Sequence, residues 1–153
     1  MKAMQNNNFD LLIGIDPGVH TGLAVFNCKE KKLIIVTSSS ITEAISTVQS
    51  YHHSSLKIGL VIEDARKRKW INDKGLNDKA KRGKAMGAGA NKRDAKIWED
   101  FCKENEIAYK VQAPRKGLTK KTQEEFLKIT GWQDRTNSHS RDAAMLVFGK
   151  IVL

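Results

Sequence analysis

Apolar residues run unbroken through Leu11-Leu12-Ile13-Gly14-Ile15 and stop at Asp16, and after Pro17-Gly18 a second strand-like run resumes at Thr21-Gly22-Leu23-Ala24-Val25. Residues 9–16, 20–27 and 33–37 are β-rich and separated by turn or charged residues, which predicts a three-stranded antiparallel meander. Thr42 is placed to cap a helix through Tyr51, with Ala44, Ile45 and Val48 at helical spacing. Residues 57–63 are nearly continuously apolar, the pattern of a strand buried on both faces. Residues 64–90 differ: they are charged, carry Gly75, Gly83, Gly87 and Gly89, lack sustained periodicity, and predict a long mobile loop or basic hairpin. Asn91 is placed to cap a helix to Asn105 with Ile97, Trp98, Phe101 and Cys102 inward, followed by a strand over 107–111 that Pro114 ends. Residues 119–130 and 140–152 read as two more helices. This order suits an α/β fold, a five-stranded mixed sheet with helices on both faces.

At 153 residues and 40% hydrophobic composition the chain fits one domain over residues 9–153, with a flexible polar tail at 1–8. The net charge of +10 favours a polyanionic partner, nucleic acid or an acidic membrane surface. Its location sharpens that: between Asp64 and Arg93 stand eleven Lys/Arg against three Asp, which is +8 of the +10. Cys28 and Cys102 form no C-x-x-C pair and read as reduced thiols. No signal-peptide layout and no apolar run of membrane-spanning length is present, so the expectation is a soluble, cytoplasmic protein with no membrane partner.

Three acids sit at the ends of apolar runs: Asp16 after the first strand, Glu63 after Gly59-Leu60-Val61-Ile62, and Asp142 before Ala143-Ala144-Met145-Leu146-Val147. Hydrolysing a phosphodiester needs an activated water and a stabilised leaving oxygen, and two Mg²⁺ ions about 4 Å apart do both. Hard cations want oxygen ligands, which strand-end carboxylates supply; Mn²⁺ is the expected substitute. His139 precedes Asp142 by three residues, so on a helix the two share one face. Each has an ordinary alternative. Glu63 could be the charged end of a buried strand, yet a solvent-facing strand end more naturally takes a turn residue, and Asp64 beside it reads as that one. Asp-Pro-Gly after a strand is commonly a plain turn. An acid in a helix's first turn is favoured by the macrodipole alone. Neutral imidazole is a poor Mg²⁺ ligand, which gives His139 the alternative task of orienting or deprotonating water. The basic tract could be a solvated run, but Arg66-Lys67-Arg68-Lys69 directly ahead of Trp70 makes burial of that indole expensive and base stacking plausible. Lys81, Arg82 and Lys84 extend the same expected DNA contact.

Ile13-Gly14-Ile15-Asp16-Pro17-Gly18 with Thr21-Gly22, then Val61-Ile62-Glu63, then His139-Ser140-Arg141-Asp142-Ala143-Ala144, resembles the RuvC family of Holliday-junction resolvases, of RNase H-like fold. The resemblance runs over about residues 11–153. It implies a homodimeric, Mg²⁺-dependent endonuclease of a bacterium or its phage that nicks four-way DNA junctions symmetrically. The family's catalytic and metal positions would fall on Asp16, Glu63, His139 and Asp142. Basic residues near the scissile phosphate would be sought after the fifth strand: Lys121 in Lys121-Thr122-Gln123, with Lys116 and Lys120 as further DNA contacts. The family's base-wedging aromatic would be Trp70, in a loop more basic than the bacterial pattern.

Three other readings compete: an RNase H-fold nuclease acting on other branched DNA or on RNA, a DNA-binding module whose acids hold no metal, and a nucleotide-binding domain of the actin and sugar-kinase superfold. The last needs two such domains, for which the chain is too short.

Overall fold

In the computed structural model, residues 9–64, 75, 77–115 and 117–149 are described. Five strands, β1 (Leu11–Asp16), β2 (Thr21–Asn27), β3 (Lys32–Ser39), β4 (Ile58–Glu63) and β5 (Ala108–Gln112), form one sheet in the order β3-β2-β1-β4-β5. The first three are antiparallel, and β1–β4 and β4–β5 are parallel, as the meander and the later helix-linked strands require. This is the expected mixed α/β architecture.

Side-chain alternation divides the core in two. Leu11, Ile13 and Ile15 of β1, with Leu60 and Ile62 of β4, face α1 (Ile41–His52) and α2 (Asp78–Glu104) through Ala44, Val48, Trp98, Phe101 and Cys102. Leu12 of β1 and Val61 of β4 face α3 (Gln123–Thr130) and α4 (Ser138–Val147) through Phe126, Ala143, Ala144, Leu146 and Val147. Continued to the strand ends, the same parity puts Asp16 and Glu63 on the α4 side of adjacent parallel strands.

The helix starts differ from expectation. Ser40, not Thr42, caps α1 in a capping box with Glu43. Asn137 caps α4, which starts at Ser138 and ends at Val147, where extended Phe148 stops it. Thr122 caps α3, and Gly131 at φ 74° closes it.

The largest correction is to the expected loop over residues 64–90. From Asp78 it is helix, capped by Asn77, whose side chain accepts from Ala80, so Asn91 lies inside α2 and not at its start. Ala, Lys and Arg between the glycines are strong helix formers, and the glycines cost propensity without stopping the helix. Ile97 is another correction. It is 40% exposed on the outer side, while Ala95 and Trp98 bury. Asp64, which reads from the sequence as a solvated turn residue, is buried with its N–H donating to the Gln112 carbonyl at 2.9 Å. The expected tail at 1–8 lies outside the described residues. Cys28 and Cys102 form no disulfide, and burial first, then the charge of Glu99, pushes the Cys102 thiol up to about 12. Among the described residues no helix is long and apolar enough to cross a membrane.

Candidate active site

Two glycines bring α4 onto the sheet. A Cβ on Gly14 would stand 2.1 Å from the Ala143 carbonyl oxygen, and one on Gly22 would stand 2.0 Å from that of His139. Only glycine permits so close an approach of helix backbone to strand. The first turn of α4 therefore lies against the β1–β2 end, where Asp16 pairs with Gly22 across the ladder.

The connection from β1 to β2 is short, and the buried Thr21 hydroxyl closes it by donating to the Gly18 carbonyl at 2.9 Å. Pro17, Gly18, Val19 and His20 form one wall of a cleft of about 420 Å³ whose lining also includes Asp16, Glu63, Thr119, Lys120, Ser138, His139 and Asp142. Glu63 and Asp142 also line a smaller recess beside Gln112 and Arg115. Asp16, Glu63, His139 and Asp142, scattered over more than 120 residues of chain, thus share one concavity.

Its internal bonds are specific. Asp16 Oδ2 and His139 Nδ1 are 3.1 Å apart. The Lys120 N–H donates to Asp142 Oδ1 at 2.9 Å, from a residue held at φ 61°. Arg141 ties α4 to the preceding loops: its Nε donates to the Lys121 carbonyl at 2.6 Å and its Nη1 to Thr136 Oγ1 at 3.0 Å. Burial pushes the Asp16 carboxyl up to about 6; the hydrogen bond from His139 pulls it down, the nearby Asp142 charge pushes it up, and the charges of His139 and Lys120 pull it down.

Oxygen donors from three carboxylates suit a hard divalent cation. Among the described residues no three His, Cys, Asp or Glu side chains form a closed group around one ion. Mg²⁺ commonly takes one or two carboxylates and completes its shell with water and phosphate oxygens, so this donor set fits an ion shared with a phosphate ligand and does not fit an all-protein cage.

The remaining expected site residues are placed as follows. Lys120, not Lys121, lines the cleft; Lys121 lies outside it, near Glu125, whose carboxyl is lowered first by the Thr122 backbone N–H and further by the Lys121 charge. Lys81 and Arg82 are exposed on α2, and Lys84 lies within that helix. Arg66, Lys67, Arg68, Lys69, Trp70 and Lys116 lie outside the described residues. Sequence reasoning missed His20, Thr119 and Ser138. His20 stands with its ring 6.3 Å from that of His139, and its place directly after Gly18-Val19 in the turn was the available signal.

No protein-family model and no curated protein matches the sequence. Among solved structures the fold is similar to that of T. thermophilus RuvC in complex with a Holliday junction substrate, with a TM-score of 0.55, 17% identity, and 90% of each chain covered. At that identity the likeness establishes a RuvC/RNase H-like fold.

Proposed function

We propose that the chain is a metal-dependent, structure-selective DNA endonuclease that resolves four-way junctions by paired nicks. The observation that carries this is the convergence of Asp16, Glu63 and Asp142 in one cleft with His139 bonded to Asp16. The solved neighbour of the same fold is bound to a Holliday junction, and the chain's +10 charge suits a DNA partner.

Asp16, Glu63 and Asp142, with His139 beside them, would hold two Mg²⁺ or Mn²⁺ ions. When bound, these supply positive charge to the phosphate and lower the pKa of a water. The chain's own groups do the rest. Ionised Asp16 accepts from His139 Nδ1–H, which leaves Nε2 with the lone pair that takes a proton from water. Lys120 holds Asp142 through its backbone N–H and brings a cation to the cleft. Lys121, Lys116 and the basic residues 66–69 with Trp70 are proposed DNA contacts, and a homodimer would supply the two sites that paired nicks need.

A second reading, a DNA-binding module without metal, is favoured by the absence of a closed ligand group among the described residues. Cleavage of a labelled immobile four-way junction, beside duplex, splayed and RNA–DNA hybrid substrates, separates them. Paired nicks on the junction alone, lost in Asp16→Asn, are expected. Binding without cleavage in Mg²⁺ or Mn²⁺ selects the module, and preferential cutting of the hybrid selects another RNase H-fold nuclease.

A further inference from the structure

Helix α2 is longer than the sheet it packs on. Its 27 residues span about 40 Å, against about 20 Å for the six-residue β4. Among the described side chains, those that bury are in its second half, from Asp94 and Ala95 through Trp98 to Cys102. After α2 the chain enters β5 at Ala108, beside Gly59 near the start of β4. The helix therefore runs antiparallel to β4, and its first half extends past the Glu63 end, the sheet edge that carries the cleft. That half stands clear of the body: a Cβ on Gly83 or Gly89 would meet nothing beyond the helix itself within 4 Å, and Met86 is 76% exposed.

Past Asp78 the charged residues of the overhang are all cations. Residues 79–93 contain six Lys/Arg and no Asp or Glu. At 100° per residue, Lys79, Arg82, Met86 and Arg93 fall on one outward stripe, and all four are exposed. Arg93 shares its Nε with Asp94 at 3.6 Å and remains 71% exposed. Like charges three and four residues apart repel along a helix, and three glycines weaken this one further. A partner that neutralises the stripe therefore stabilises the helix as well as binding it.

We infer that the overhanging first half of α2, with Arg93 just beyond it, is a phosphate-binding arm for a DNA duplex, its Lys79–Arg82–Arg93 stripe lying along one strand's backbone at the Glu63 end of the sheet, on the face opposite α4. The stripe measures about 21 Å, the length of about six phosphates on one strand. The inference deepens the nuclease reading and rests on it for the choice of DNA.

The test uses the full chain with Lys79, Arg82 and Arg93 all changed to Gln, a labelled linear duplex, EDTA and a salt series. Binding by fluorescence anisotropy should show the slope of log Kd against log salt shallower by about 2–3, from three lost phosphate contacts at about 0.9 each. A control with Lys29, Lys31 and Lys32 changed to Gln, on the turn at the opposite end of the sheet, should leave the slope unchanged. In the wild type, duplex should slow hydrogen exchange over residues 78–90. An unchanged slope in the α2 variant, an equal loss in the control, or wild type that does not bind duplex overturns the inference. So does a variant that changes only self-association in sedimentation, because the face then meets a second copy of the chain. With unbranched duplex and no metal, the result is independent of cleavage: an inactive protein with the expected slopes sinks the nuclease reading and keeps the arm.

Discussion

The backbone carbonyl of His139 lies over Gly22, with no room between them for a methyl group: a Cβ there would stand 2.0 Å from the oxygen. This contact sets how closely the first turn of α4 approaches Asp16, and so whether the cleft forms.

Gly22→Ala should destabilise the protein by about 3 kcal/mol, at or beyond the upper end for overpacking, because the methyl meets backbone and cannot be relieved by a rotamer change. The helix must withdraw, taking His139 and Asp142 from Asp16. Denaturant melts and junction cleavage of the variant check this; wild-type stability with full activity would show that α4 does not need the close approach. Gly14→Ala, against the Ala143 carbonyl, should behave alike.

The Asp16 carboxyl, raised from 3.8 to about 6 by burial, makes metal-free stability depend on pH. Between these values the folded state binds the proton more tightly than the unfolded chain, so this group's contribution falls as pH rises from about 4 to about 6. At 1.36 kcal/mol per unit the fall is on the order of 3 kcal/mol. Melts in EDTA at pH 4.5, 5.5 and 7 should show it in wild type and not in Asp16→Asn, which should be the more stable protein at pH 7. Parallel pH profiles for the two proteins would refute the burial effect.

Divalent metal should offset the same cost. At 100 times its Kd, Mg²⁺ or Mn²⁺ stabilises by about 2.7 kcal/mol, a rise of roughly 5–10 °C in Tm for a chain of this size. Asp16→Asn and Asp142→Asn should shrink the shift, and Ca²⁺-free buffer with EDTA should abolish it. Absence of any shift in wild type counts against a metal site.

Arg141 holds the loops that border the site to α4 through the Lys121 carbonyl and Thr136. Arg141→Lys keeps the charge and loses the fork, leaving half-buried acceptors unpaired at about 1–3 kcal/mol. Because Lys120 bonds Asp142 from the same loop, cleavage should slow through kcat with DNA affinity retained. A variant that lost affinity alone would assign Arg141 to DNA contact instead.

Unbroken apolar runs in β1 and β4, the acids that end them and the acid that opens the apolar run of α4 are local patterns, so the sheet and the cleft's three carboxylates were legible in the chain alone. Even the shared face of His139 and Asp142 follows from a spacing of three on a helix. The start of α2 was not legible, because glycines that lower helix propensity read as loop signals unless the capping Asn77 and the anchored half beyond Asp94 are seen together. Nor was the choice of Lys120 over Lys121 at the cleft, since adjacent lysines in a loop have no periodicity to separate them. The apposition of Gly14 with Ala143, of Gly22 with His139, and of His139 with Asp16 joins segments more than a hundred residues apart. Local propensity sets which residues are strand or helix; only packing, by excluding every side chain larger than hydrogen at two positions, decides that α4 delivers its first turn to the end of β1.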